Sequence, residues 1–98
     1  MAPEDRALAE RVHVSVTATA PELSPKTWYG MPAYANADGK VVVFFQDAGK
    51  FNYRYSTVGF QDAANLDDGD VWAVAYALAK WSPAVEKKLV ALVKSAIS

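Results

Sequence analysis

MPAYANADGKVVVFFQ, residues 31 to 46, sets an Asp-Gly pair between two apolar runs. A tight hairpin turn needs positive φ at its centre, which Gly adopts without steric cost and Asp tolerates, so Asp38-Gly39 reads as a β-hairpin. Residues 31 to 36 and 40 to 46 are therefore expected to pair antiparallel. The second run, KVVVFFQ, is apolar at both alternating sets of positions, as in an inner strand covered on both faces. That strand is placed at the centre of a sheet.

Working downstream, Asp47-Ala48-Gly49 marks a second turn into KFNYRYSTVGF. There Phe51, Tyr53 and Tyr55 alternate with Lys50, Asn52, Arg54 and Ser56. The period of two predicts a third strand, with its aromatic side under the helices and its basic side in water. That separation argues against a single-strand nucleic-acid surface, where aromatic and basic groups must share a face. After the polar segment QDAANLDDGD, Asp68-Gly69 turns the chain into VWAVAYAL. This run also fits a helix by composition. Its alternation of Trp72, Val74, Tyr76 and Leu78 with Ala73, Ala75 and Ala77, bounded by turn residues, favours a strand with Trp72 in the core.

The flanks are helical. Pro3 suits a first-turn position, Glu4 and Asp5 complement the positive helix end, and Leu8, Val12 and Val16 recur every four residues up to about residue 19. Pro21 and Pro25 then predict a loop or a single helical turn before Thr27. At the other end Ser82-Pro83 is an N-cap followed by Pro at the first helical position, and Val85, Leu89, Leu92, Val93, Ala96 and Ile97 follow the helical period. The expected architecture is one α+β domain over residues 1 to 98. It has two layers, an antiparallel sheet of about four to five strands with the N- and C-terminal helices on one face. The other face is left open, and Ala73, Ala75 and Ala77 are expected to make a shallow depression in it.

Composition narrows the function classes. The 98 residues, 52% hydrophobic and 21% charged, suit a single globular core. The formal charge of -1 opposes a protein that must neutralise several phosphates, so no nucleic-acid partner is expected. With no Cys there are no disulfides, thiolate metal sites or cysteine nucleophiles. The polar start MAPEDRALAE is unlike a signal peptide, and no apolar run reaches membrane-spanning length, so a cytoplasmic, membrane-free protein is expected. Catalysis finds little support: His13 is the one histidine, it flanks the apolar stripe of the first helix, and no glycine-rich phosphate loop is present. A non-enzymatic binding or carrier domain is the reading; an unrecognised hydrolase is the remote alternative.

Two sets of residues are candidate sites. TWYGMPAY, residues 27 to 34, gathers aromatic surface around Gly30 and Pro32, and Trp28, Tyr29, Met31 and Tyr34 either edge a groove or form a core corner. As a groove they would join Ala73 and Ala75 of the open face in binding a small ligand or a protein partner. Asp67, Asp68 and Asp70 offer oxygen donors that a hard cation such as iron favours, although Asp beside Gly is ordinary turn chemistry. Glu4, Asp5 and Glu10 add a thin acidic set on the first helix.

YGMPAY at 29 to 34 followed by DGKVVVFFQ at 38 to 46 resembles the YdhG-like family of small bacterial domains of unknown function. KFNYRY, TVGF, ANLDDG, a Trp-containing AYAL strand and LVKSAIS extend the likeness over residues 8 to 98. The resemblance implies a frataxin-like arrangement of two terminal helices on an antiparallel sheet. It also implies an iron-carrier role as the alternative function, since some relatives are labelled putative iron chaperones. Val71-Trp72-Ala73 departs from the Met-Trp-Pro-like stretch expected of one branch, so a pocket shaped there by relatives would differ.

Overall fold

A computed structural model describes residues 1–98. The elements run α1 (Pro3–Thr19), β1 (Ser24–Trp28), β2 (Met31–Ala35), β3 (Val41–Gln46), α2 (Ala48–Phe51), β4 (Ser56–Phe60), β5 (Ala75–Leu78) and α3 (Pro83–Ile97). The strands form one antiparallel meander in the order β1-β2-β3-β4-β5, so β3 is central, as expected from its apolar faces. The domain is α+β in two layers.

The Asp-Gly hairpin forms with one extra residue in its loop. Asn36 and Lys40 close the turn through Asn36 N–H to the Lys40 carbonyl (2.9 Å), and Gly39 takes the left-handed conformation at φ 78. The Asn36 side chain accepts from the backbone of both Asp38 and Lys40 and holds the loop from inside. A bulge between Tyr34 and Ala35 then puts Val42 and Val43 both in the core. The Val42 carbonyl is satisfied by Gln61 N–H instead of by β2.

Three segments depart from the sequence reading. Residues 24 to 28, expected as loop or helical turn, are an edge strand, and Tyr29 (φ 51) and Gly30 (φ 75) form the two-residue turn into β2. Pro25 is tolerated because an edge strand has one side free of ladder bonds. KFNYRY is not a strand. Asp47 caps α2 by accepting from Lys50 N–H, and Asn52 ends it in the left-handed conformation, so Phe51 and Tyr53 are exposed and do not pack under the helices. VWAVAYAL is strand only over Ala75–Leu78, with one further bond to β4 at the Val74 carbonyl, leaving Val71, Trp72 and Val74 before the strand and exposed.

The register shows which residues share a face. Tyr34, Val43 and Phe60 lie abreast on the helix side, as do Phe45, Val58 and Tyr76. They meet Val12 and Val16 of α1 and Leu89, Val93 and Ala96 of α3 in one core. On the opposite side Ala33, Phe44, Gly59 and Ala75 lie abreast. A Cβ on Gly59 would fall on the Phe44 ring, so Gly59 lets that ring lie over β4, and Trp28 packs against Phe44 at a tilt of 53° with ring centroids 5.2 Å apart. No helix covers this face, yet Met31 and Ala33 are buried on it, paired in register with Trp28 and Phe44.

Candidate functional site

The surface that stands out runs along β5. Its floor is Val58, Tyr76 and Leu78, its wall is Val85, Leu89 and Leu92 of α3, and Trp81 stands where the chain leaves β5. The cavity they enclose is about 360 Å³. It exists because α3 packs toward the central β3, so the helix side of the last strand is only partly covered. Lys80 and Lys88 rim it, with the Lys88 ammonium 5.7 Å from the Tyr76 ring centroid.

Beside the groove lies an unguarded sheet edge. Phe60 N–H donates to the Val74 carbonyl (2.7 Å), which fixes the phase of the β4-β5 ladder. In an antiparallel ladder bonded pairs alternate with pairs whose backbone groups point away, so Tyr76 and Leu78 turn theirs to β4 while Ala75 and Ala77 turn theirs outward. The opposite edge, β1, carries Pro25, which has no N–H, and the exposed charge of Lys26, the usual devices against strand pairing. On β5 there is neither proline nor charge, and Ala75 and Ala77 are exposed.

A second cavity, of about 440 Å³, continues the first at Tyr76 and Leu92. It is lined by Asp67, Asp68, Trp72 and Ala73 and by Ser95 and Ser98 at the end of α3. The combined trough carries Lys80 where β5 ends, Lys88 over Tyr76 at mid-strand, and Asp67 and Asp68 where β5 begins.

The residues singled out in the sequence are scattered by the fold. Tyr34 is 1% exposed on the helix side, whereas Trp28 and Met31 lie on the other face and Tyr29 sits 79% exposed in the turn. The segment 27 to 34 is thus a hairpin with its rings on opposite sides, and these four residues do not line one groove. Ala75 and Ala77 do reach the open face, but Ala73 lies before the strand, in the wall of the acidic cavity. Asp67 and Asp68 line that cavity while Asp70 follows the turn glycine Gly69 (φ 68). No group of three or more His, Asp or Glu side chains gathers as a metal-binding cluster. Asp5 is buried and accepts from Gly49 N–H (3.0 Å), tying α1 to α2. His13 Nδ1 and the Tyr34 hydroxyl are hydrogen-bonded at 3.1 Å, so the histidine anchors a buried phenol. The groove itself was signalled by an apolar run without Pro or charge whose strand is the last of a meander.

The placement of Trp72 changes what its loss should do. At 38% exposure and outside any strand it stabilises far less than a core ring. Trp72→Ala is expected to lower stability by about 1 kcal/mol, against the roughly 3 to 5 of a buried aromatic truncation, as measured by urea unfolding.

No helix is long and apolar enough to cross a membrane. No family model, curated protein or solved structure matches the chain.

Proposed function

We propose that this chain is a non-enzymatic binding domain that takes up an extended polypeptide segment along β5. The observation that carries the reading is the coincidence of an apolar groove with the unguarded edge of Ala75 and Ala77. A strand laid against that edge gains backbone hydrogen bonds from the two alanines, and every second side chain drops toward Tyr76, Val85 and Leu92. Lys80 and Lys88 favour an acidic flank on the incoming segment. The absence of cysteine suits a reducing compartment, and the cytoplasm is the setting proposed for it. The likeness of residues 29 to 46 to the YdhG-like family adds no cargo to this reading. The iron-carrier alternative has no comparable gathering of carboxylates behind it.

The test is an NMR titration of the dilute protein with a short capped peptide that alternates Val and Thr and ends in Glu. Amide shifts are expected over residues 75 to 81 and along the facing side of α3, with slowed exchange at Ala75 and Ala77. Ala77→Pro removes a donor that faces outward, so the β4-β5 ladder survives, and peptide affinity should fall at least about tenfold. Equal binding by a folded Ala77→Pro protein would overturn the strand-capture reading.

A further inference from the structure

We propose that the segment captured at this edge is β5 of a second copy of the chain, the two strands pairing antiparallel about a twofold axis through Tyr76. The inference rests on the reading of β5 as a strand-accepting edge and names its partner. A twofold interface must be complementary to itself, and the trough beside β5 meets that demand. Lys80 lies at the end where β5 runs out, Asp67 and Asp68 at the end where it starts, and Lys88 sits over Tyr76 between them. Because antiparallel pairing reverses the second strand, each copy's Lys80 comes to face the other's aspartates. Two parallel strands would set like charges together at both ends.

The backbone agrees with the same axis. Ala75 and Ala77 are the β5 residues whose N–H and C=O point outward. With the axis at Tyr76, Ala75 of each copy lies opposite Ala77 of the other, and every outward donor and acceptor of both alanines finds a partner. The neighbouring positions are then Val74 against Leu78 and Trp72 against Lys80, which places a cation beside an indole. Val71, Trp72 and Val74, 85%, 38% and 47% exposed in the single chain, flank this pairing, and their cover is a gain that an acidic peptide of a few residues would not reach. The sheets of the two copies become one, and both β5 edges are removed from solvent.

Sedimentation equilibrium over a wide concentration range, with light scattering, tests the pairing. The wild-type chain should show a reversible monomer-dimer equilibrium that weakens with added salt. Ala77→Pro should be monomeric while remaining folded by circular dichroism. The decisive arm uses two charge-reversed chains, Lys80→Glu, and Asp67→Lys with Asp68→Lys. Each alone repels itself at both ends and should dimerise at least about tenfold more weakly than wild type. An equal mixture restores opposite charges at both ends and should dimerise with near wild-type affinity. A wild-type chain that stays monomeric to roughly 1 mM, where association is worth only about 4 kcal/mol, overturns the inference. If the Val-Thr peptide still binds in that case, the strand-capture reading stands without it. A dimer that survives Ala77→Pro, or charge-reversed chains that fail to associate on mixing, would place the contact elsewhere and likewise overturn it.

Discussion

Tyr34→Ala is expected to lower stability by about 3 to 5 kcal/mol, a large share of the roughly 5 to 15 available to a domain of this size. Tyr34 is a fully buried ring on the helix side of β2, abreast of Val43 and within the core that Val12 and Val16 of α1 complete. Truncation leaves a cavity between a central strand pair and a helix, and neither can collapse into it without disturbing the bulge at Tyr34 and Ala35. It also leaves His13 without its hydroxyl partner. Tyr34→Phe separates these contributions: the ring volume stays, and the loss should be about 1 kcal/mol. Urea unfolding of both variants measures this. A Tyr34→Ala loss below about 1 kcal/mol would mean that the ring faces solvent and that the face assignment of β2 is inverted.

The parts legible in the sequence were those fixed by backbone chemistry. Asp38-Gly39 announced its hairpin because positive φ excludes most residues, and Ser82-Pro83 announced α3 because an N-cap acceptor and a proline suit one helix end. Tyr29-Gly30 is also a tight hairpin turn, yet a tyrosine at positive φ carries no turn signature, and Pro21 and Pro25 read as breakers. So β1 was hidden. KFNYRY misled in the opposite sense: strict alternation was present, but the Asp47 cap and a left-handed Asn52 diverted the chain into a helical turn. Alternation reports a strand only where a partner strand exists, and residues 50 to 55 have none.

The site was less legible than the fold, for a related reason. Aromatic density drew attention to residues 27 to 34, whereas what makes a strand-accepting surface is position in the sheet. Nothing in AYAL says that the strands pair in chain order or that α3 leans toward β3; its edge role follows from the meander order. Phe44 and Trp28 show the same limit. Their contact depends on the room Gly59 leaves for Phe44 across the ladder, a partner visible only once the register is known.

Alkaline pH should remove roughly 2 to 3 kcal/mol of stability as it rises from below 10 to above 12, and the loss should be traceable to Tyr34. Burial pushes its phenol from the ordinary value of 10.0 up to about 12, because the charged form is poorly solvated in the core. In the unfolded chain the same phenol ionises near 10. Below that pH both states hold the proton, and the contribution is fully present. Between the two values the unfolded chain has released its proton while the folded chain keeps it, so unfolding is favoured by about 1.4 kcal/mol for each pH unit. Above about 12 both are ionised and the decline from this group ends. Urea midpoints measured across this range should fall steadily in the wild type. In Tyr34→Phe, which keeps the ring and has nothing to ionise, the corresponding part of the fall should vanish, so that the mutant, less stable at neutral pH, overtakes the wild type as alkalinity rises. Parallel declines in the two proteins would show that other groups drive alkaline unfolding and that the Tyr34 phenol is solvated.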